Sequence, residues 1–246
     1  MRMPYNWRMY VCILAAGRGT RMGELTETTP KPLLSVGGVP ILLRTLGQLP
    51  VAASRVLIIV GYRGDQIQTA VGDSFSGVPV RYFPLESLGG TAHALYQAAP
   101  ELPGKEPFLV LNGDDLYHRD DLERIIRYPL ALGFKPSVHP AARYLHVGLT
   151  PDGMVAGLAA PTPEQDVVNV ATGAYVLDAR LFSFEPVRMK SGELGLPHTV
   201  ASMAGRLPVH GVAMERWFPL TTPEDFAGAE AHVEEFHSGA RGTSGV

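Results

Sequence analysis

Residues 10–22 read YVCILAAGRGTRM, an apolar run that stops abruptly at a glycine-rich segment. A continuous apolar run of this length is typical of a strand buried on both faces of a parallel sheet, with a loop at its carboxyl end. Similar runs rich in Val, Ile and Leu recur at residues 55–60, 78–83 and 108–111. The first half of the chain therefore predicts a set of parallel strands, of which residues 10–16 are the first.

Helical patterns separate these apolar runs. They cover residues 40–49, 64–71, 91–99 and 119–127. Strands and helices alternate at spacings of about 20 to 30 residues, which is typical of parallel strands joined by right-handed helical crossovers. We therefore predict the α/β class, with a Rossmann-like, doubly wound, mixed but mainly parallel sheet that carries helices on both faces.

The alternation becomes looser in the second half of the chain. Strand-like segments at residues 145–150, 154–158 and 173–177 are separated by turns. These segments predict mixed or antiparallel strands that extend the sheet and cover its open edge. A last helix is indicated by Thr222 as the N-cap, followed by Pro223 at the first helical position.

The composition limits the class of partner. The 246 residues carry a formal net charge of -3 and no basic block, so nothing favours binding to nucleic acid or to a membrane surface. No apolar run approaches the roughly 18 residues that a membrane span needs. The single cysteine, Cys12, excludes an internal disulfide framework and fits a reducing compartment. We therefore expect a soluble, cytoplasmic protein that binds small molecules.

The loop after the first strand has the chemistry of an anion-binding loop. Gly17 and Gly19 let backbone N–H groups approach an anion, and Arg21 supplies a planar, permanently charged guanidinium. The spacing differs from the dinucleotide-binding pattern G-x-G-x-x-G and from the G-K-[ST] of a P-loop. Taken alone, the two glycines also fit an ordinary tight turn between a strand and a helix.

A second cation follows this loop. Lys31 lies ten residues after Arg21 and is flanked by Pro30 and Pro32. We expect the two prolines to hold Lys31 in an extended, stiff backbone. The ammonium group would then point at a fixed place near the glycine loop.

The combination of residues 14–22, residues 30–34 (PKPLL) and residues 38–40 (GVP) resembles the sugar-1-phosphate nucleotidyltransferases, also called nucleotide-sugar pyrophosphorylases. The resemblance extends from about Met9 to the final helix. It implies transfer of a nucleotidyl group from a nucleoside triphosphate to a sugar-1-phosphate, with release of pyrophosphate. The implied partners are those two substrates, with a homo-oligomer as a further possibility.

The chain is expected to form one domain with two halves. We expect a single domain over residues 1–237, since no linker rich in Gly or Ser separates independent units. Residues 9–128 would bind the nucleotide, and residues 129–237 would form the acceptor half. Residues 238–246, which are small and polar, are expected to form a flexible tail.

Two further segments of the first half match the family. Residues 88–95 resemble the family's segment that packs against the base and ribose, although Thr91 also fits the cap of an ordinary helix. Residues 111–114 end an apolar run in the carboxylate of Asp114, and in the family this aspartate holds the magnesium ion that bridges the phosphates. The alternative is that Asp114 and Asp115 merely cap the following helix.

The family resemblance assigns a role to each matching residue. The expected catalytic residues are Arg21, Lys31 and Asp114, of which Asp114 would also hold Mg²⁺. The expected nucleotide-binding residues are Leu14, Ala15, Ala16, Gly17, Arg18, Gly19, Thr20, Arg21, Gly89, Gly90 and Thr91. The expected sugar-binding residues are Asn112, Gly113, Thr172, Gly173 and Glu193. Catalysis would then rest on positioning and charge neutralisation, with no nucleophilic side chain.

The acceptor half departs from the family at three places. Ala159 and Ala160 stand where many relatives carry Glu-Lys, whose lysine grips the sugar phosphate. Pro219 stands where a second magnesium-binding aspartate is usual. The glycine that commonly lies under the sugar is replaced around Leu145 and His146.

Two hypotheses follow from these departures. In the first, the chain is an active nucleotidyltransferase whose acceptor site is rebuilt from other residues. The possible substitutes are Arg143, Arg180, Arg188 and Lys190 as cations, and Glu215 and Asp225 as carboxylates. In the second, the chain binds a nucleotide or nucleotide-sugar without useful turnover and acts as a regulatory subunit.

Overall fold

The computed structural model describes residues 8–104, 106–138, 144–159 and 166–236, so the predicted tail lies outside the described residues. The strands are β1 Met9–Ala15, β2 Ser35–Val36, β3 Val39–Pro40, β4 Ala53–Val60, β5 Ser74–Phe75, β6 Val78–Pro84, β7 Phe108–Asn112, β8 Asp115–Tyr117, β9 Ala131–Val138, β10 His146–Leu149, β11 Val155–Ala159, β12 Val167–Leu177, β13 His210–Ala213 and β14 Trp217–Pro219. The α-helices are α1 Ile41–Gly47, α2 Gly64–Val71, α3 Thr91–Gln97, α4 Arg119–Ile125, α5 Leu196–Ala204 and α6 Pro223–Glu230.

A mixed sheet of ten strands forms the body of the protein. Its main path runs β11-β10-β12-β7-β1-β4-β6-β5, while β9 pairs with β12 and β13 pairs with β9. The central strands β6, β4, β1 and β7 are parallel, and antiparallel pairing begins where β12 joins β7. Beside β1 the strand order reverses, because β4 and β6 follow on one side and β7 on the other. Such a reversal opens a crevice at the carboxyl ends of the strands.

Each face of the sheet buries its own core. Along β1, Val11 and Ile13 pack with α1, α2 and α4, whereas Cys12 packs on the other face with α3 and α5. The alternation follows the period of two that side chains have along a strand. Burial raises the pKa of the Cys12 thiol. The predicted mixed sheet with helices on both faces is confirmed.

The predicted elements of the first half are present, with ends that agree within two residues. The second half contains three strands and a helix that we did not predict, namely β9, β13, β14 and α5. Gly133 and Pro136 lie within β9, and both residues usually interrupt strands. Gly133 is required by packing, since a Cβ there would lie 2.6 Å from Thr172 Oγ1.

The last helix begins as predicted, with a capping box between Thr222 and Asp225. The helix α6 stops at Glu230, and a 3-10 turn follows at Val233–Phe236. Phe226, Ala229, Val233 and Phe236 nevertheless pack in one small core. No helix in the described part of the chain combines the length and apolarity that crossing a bilayer requires.

Candidate active site

A cleft of about 520 Å³ opens at the carboxyl ends of β1 and β7, where the strand order reverses. It brings together most of the residues that the sequence indicated. Those that line it are Leu14, Ala15, Ala16, Gly17, Arg18, Gly19, Thr20, Arg21, Lys31, Gly89, Gly90, Thr91, Asn112, Asp114 and Glu193. Residues from both halves of the chain therefore face one crevice.

The glycine loop is held in a tight, partly left-handed conformation. Gly19 has φ of 65°, which favours glycine, and a Cβ there would lie 3.0 Å from Lys31 Cβ. The Met22 amide donates to the Gly19 carbonyl at 2.9 Å and begins a 3-10 turn over Thr20–Thr26. Met22 is buried, while Arg21 beside it is exposed at the cleft. The loop thus presents its arginine outward from a fixed backbone.

Lys31 and Asp114 meet at the floor of the cleft. Lys31 Nζ donates to Asp114 Oδ2 at 2.6 Å, and the side chains are 7% and 37% exposed, respectively. The expected extended backbone is only partly correct, because Pro30 is extended but Lys31 opens a 3-10 turn, Lys31–Leu33. The Leu34 amide closes this turn on the Lys31 carbonyl at 3.0 Å. The buried Lys31 ammonium is therefore paired with the partly solvated carboxylate of Asp114.

Asp115, the neighbour of Asp114, is a buried carboxylate to which we assigned no role in the reaction. It accepts hydrogen bonds from Leu220 N at 3.3 Å, and from Trp217 Nε1 and Asn112 Nδ2 at 3.4 Å each. Burial, followed by repulsion from Asp114, raises the pKa of Asp115 to about 7. Asp115 therefore connects the end of β7 with the chain around β14. Two successive aspartates after a buried strand were the only sign of it in the sequence.

Neither aspartate caps the following helix. The N-cap of α4 is His118, whose side chain accepts from the Asp120 amide at 3.2 Å. The capping alternative for Asp114 and Asp115 is therefore wrong. Asp114 lies instead between β7 and β8, where it pairs with Lys31, and Asp115 is the first residue of β8.

The second glycine segment is covered by a loop from the acceptor half. Gly90 has φ of 97°, and a Cβ there would lie 2.5 Å from the Leu194 carbonyl oxygen. Leu194 N donates to Gly89 O at 2.7 Å, and Thr91 Oγ1 accepts from Leu196 N at 2.9 Å. Gly90, rather than Thr91, is the N-cap of α3, so the capping alternative is wrong here too. The Thr91 hydroxyl instead links the nucleotide-binding half to the acceptor half, through its hydrogen bond with the Leu196 amide.

The sugar-binding predictions divide into two groups. Asn112 and Glu193 line the cleft. Gly173, with φ of 70°, packs so closely behind Asn112 that an added Cβ would overlap its amide group. Thr172 is fully buried, with its hydroxyl 3.0 Å from Met214 Sδ, so it lies away from the cleft. Gly113 is also buried and donates from its amide to the Leu14 carbonyl at 2.9 Å. Gly113, Thr172 and Gly173 therefore support the wall without lining it.

The departures on the acceptor side are visible in part. Pro219 pairs with Asp115 across β14 and β8. The position at which relatives usually carry the second magnesium-binding aspartate therefore lies next to a buried carboxylate. Ala159 ends β11, while Ala160 and Arg143 lie outside the described residues.

Four of the five proposed substitutes in the described residues have other partners. Arg180 pairs with Asp178 at 2.7 Å, Glu215 with Arg124 at 2.8 Å, and Asp225 accepts from the amides of Thr221 and Thr222. Arg188 Nη1 donates to Gly192 O at 2.5 Å. These four side chains and that of Lys190 do not line the cleft. The substitution hypothesis is therefore not supported for any of them.

The donor set of the cleft suits a magnesium ion that is shared with phosphates. No cluster of three or more His, Cys, Asp or Glu side chains with metal-binding geometry occurs among the described residues. Asp114 offers one partly solvated carboxylate at the cleft floor. Mg²⁺ is commonly held by one or two carboxylates together with substrate phosphates and water. The residues present therefore fit such an ion.

Comparison with known proteins agrees with this geometry. Residues 11–132 match the model of the MobA-like NTP transferase domain. The chain is 27% identical over 230 residues to the bifunctional protein GlmU of Methanococcus maripaludis strain S2, covering 91% of this chain and 54% of that protein. It is 49% identical over 112 residues to the N-acetylmuramate alpha-1-phosphate uridylyltransferase of Neisseria meningitidis serogroup B, covering 44% and 48%, respectively. The chain spans about half the length of the curated relatives it matches.

A solved structure shows the same fold. The inositol-1-phosphate CTP transferase of T. maritima superposes with a TM-score of 0.76 at 16% identity, covering 94% of this chain and 97% of that one. The sequence matches point to a nucleotidyltransferase. The cleft agrees with them, because it brings together the glycine loop, Lys31 and Asp114. The chain therefore carries a MobA-like NTP transferase domain over residues 11–132 and is similar to nucleotidyltransferases that act on sugar phosphates.

Proposed function

We propose that this chain transfers a nucleotidyl group from a nucleoside triphosphate to a sugar-1-phosphate, releasing pyrophosphate and forming a nucleotide-sugar. The observation that carries the proposal is the Lys31–Asp114 pair, 2.6 Å apart at the floor of a cleft lined by the glycine loop. The names of the relatives support the reaction class, since one is a uridylyltransferase and another a CTP transferase.

The donor triphosphate would lie along the glycine loop. Backbone N–H groups of residues 17–20 and the guanidinium of Arg21 would bind the β- and γ-phosphates, which leave as pyrophosphate. Glycine at positions 17 and 19 keeps side chains away from this path, and Arg21 is exposed at the cleft. The base and ribose would lie beside Gly89 and Gly90, where the missing side chains allow close approach.

The reaction centre would lie at Lys31 and Asp114. A phosphate oxygen of the sugar-1-phosphate attacks the α-phosphorus, a new P–O bond forms, and the bond from the α-phosphorus to the bridging oxygen of pyrophosphate breaks. Lys31 would neutralise the charge that develops on the α-phosphate. Asp114 would hold Mg²⁺, which supplies positive charge to the phosphates when bound.

Release of the Lys31 ammonium from Asp114 is part of this account. In the structure the Lys31 ammonium donates to the Asp114 carboxylate. To act on the substrate, the ammonium must turn from this carboxylate toward a phosphate. Water already reaches Asp114, so the change does not leave a carboxylate buried without a partner. The pair thus holds both groups at the reaction centre before the substrates arrive.

The acceptor sugar would contact Asn112 and Glu193, the two predicted sugar-binding residues that line the cleft. A carboxylate can accept hydrogen bonds from sugar hydroxyls, and a side-chain amide can both accept and donate them. The buried Cys12 fits a reducing compartment, and we therefore propose that the reaction takes place in the cytoplasm.

The experiment that tests the function is a matrix of pyrophosphate-release assays. The five common nucleoside triphosphates (ATP, CTP, GTP, UTP and dTTP) are each combined with a panel of sugar-1-phosphates and Mg²⁺. We expect release with at least one pair of substrates and none when the acceptor is omitted. The matched control is Asp114→Asn, which keeps the shape of the side chain and removes its charge. Release that is independent of the acceptor would contradict the proposal.

A further inference from the structure

The turn between β4 and α2 is fastened to the backbone just after the glycine loop. The Tyr62 hydroxyl lies 2.9 Å from the Thr26 carbonyl and 2.7 Å from the Glu27 carbonyl, and it donates to this pair of oxygens. Arg63 Nη2 donates to the same Glu27 carbonyl at 2.7 Å, and Gln66 Nε2 donates to the Thr28 carbonyl at 3.0 Å. Two side chains from this turn and one from the start of α2 therefore hold residues 26–28.

Arg63 adopts a conformation that only other contacts can maintain. Its φ of 52° and ψ of 39° are left-handed, which is costly for a residue with a Cβ. The Arg63 guanidinium lies 5.3 Å from the centre of the Tyr62 ring, and Nε donates to the Tyr62 hydroxyl at 2.9 Å. The strained turn brings Arg63 and Tyr62 to the same carbonyl of Glu27.

The other end of the glycine loop touches the same turn. The Tyr62 amide donates to the Ala16 carbonyl at 3.2 Å, and a Cβ on Gly61 would lie 2.8 Å from that oxygen. The Arg18 guanidinium lies 5.4 Å from the centre of the Tyr62 ring. A cation–π contact of this kind leaves the N–H groups of the guanidinium able to donate to an anion.

We infer that Tyr62 is a positioning residue for the donor triphosphate: it holds both ends of the glycine loop so that Arg18 and Arg21 face the β- and γ-phosphates. The inference rests on the proposed function, since it concerns the same cleft. Tyr62 itself is not one of the residues lining the cleft, so it acts through the loop and through Arg18. Its ring supports Arg18, and its hydroxyl anchors the backbone beyond Arg21.

The test compares two substitutions at this position with a matched control. Tyr62→Phe removes the hydroxyl and keeps the ring, and Tyr62→Leu removes both. Tyr82→Phe is the control, because the Tyr82 hydroxyl also donates to a backbone carbonyl, that of Gly72 at 2.6 Å, but lies outside the cleft. Calorimetry with Mg²⁺ measures the Kd of each of the five common nucleoside triphosphates and of its own monophosphate. A thermal melt of each variant reports its folding.

We expect Tyr62→Phe to weaken triphosphate binding about fivefold, the effect of one lost hydrogen bond, and Tyr62→Leu to weaken it more. Monophosphate binding should be unchanged, because a monophosphate has no β- or γ-phosphate for the loop to hold. Equal triphosphate Kd values for wild type and both variants would overturn the inference while leaving the proposed function intact. Equal loss for mono- and triphosphate would also overturn it, since that is the result of general loosening. If wild type binds none of the triphosphates, both the inference and the proposed function fail.

Discussion

Replacing Lys31 by methionine separates binding of the donor from the chemical step. Methionine keeps most of the length and apolar contact of the buried side chain but removes the ammonium group that lies 2.6 Å from Asp114. Asp114 is 37% exposed, so water can solvate the carboxylate that loses its partner, and we expect only a small change in stability.

The magnitude follows from the kind of contact that is lost. A hydrogen bond to a charged group contributes about 1.5 to 3 kcal/mol, and each 1.36 kcal/mol changes a rate about tenfold. If Lys31 meets charge that develops only in the transition state, kcat should fall roughly 10- to 200-fold. The Kd of the donor triphosphate should change much less, because the glycine loop and Arg21 hold the departing phosphates.

The assay is pyrophosphate release under saturating substrates, with the triphosphate Kd measured separately by calorimetry. Lys135→Met is the matched control, because Lys135 Nζ donates to the Trp217 carbonyl at 3.0 Å and does not line the cleft. It should turn over at close to the wild-type rate. Near-normal kcat in Lys31→Met would refute the assigned role. A loss of triphosphate affinity as large as the loss of kcat would also contradict it.

Three other sets of substitutions test separate parts of the site. Arg21→Ala should weaken triphosphate binding by about 1.5 to 3 kcal/mol in calorimetry, and an unchanged Kd would remove the glycine loop from the account. Because the pKa of Asp115 is raised to about 7, the folded state holds its proton more tightly than the unfolded chain, so the contribution of Asp115 to stability should fall as pH rises from about 4 to 8. Asp115→Asn should remove up to about 4 kcal/mol of that loss in metal-free denaturant titrations, and parallel pH profiles for the two proteins would argue against the shift. The double change Ala160→Lys with Pro219→Asp should raise activity more than the two single changes combined. Pro219→Asn is the control for the lost proline ring. Additive effects would show that the two positions act independently.

The fold of the first half could be predicted because its strands and helices have clear and different patterns. The apolar runs in β1 and β7 and the second half of β4 are buried on both faces, whereas β6 alternates and exposes Pro79 and Arg81. The helix Gly64–Val71 was predicted with both its ends correct. The second half has weaker local signals. Gly133 is in β9 because Thr172 and Met214 pack against its Cα, a long-range contact that no local pattern contains. Tertiary packing thus overrides the propensity of glycine to interrupt a strand.

The candidate site could be predicted where a short segment carries the chemistry. The glycine loop, Lys31 and Asp114 are such segments, and all of them line one cleft. The connection between Thr91 and the Leu196 amide spans more than a hundred residues, so the sequence suggested a helix cap instead. Tyr62 was overlooked for the same reason, because its partners Thr26 and Glu27 become neighbours only in the folded chain.

The central claim is that the cleft around Lys31 and Asp114 joins a nucleotide to a sugar phosphate. Phosphorus-31 NMR of a complete reaction with Mg²⁺ tests it most directly, because it observes the donor, pyrophosphate and the new phosphodiester linkage together. We predict equal amounts of pyrophosphate and nucleotide-sugar with wild type, and neither product with Asp114→Asn. Triphosphate that binds in the cleft but yields no pyrophosphate with any sugar-1-phosphate, or yields orthophosphate alone, would contradict the claim.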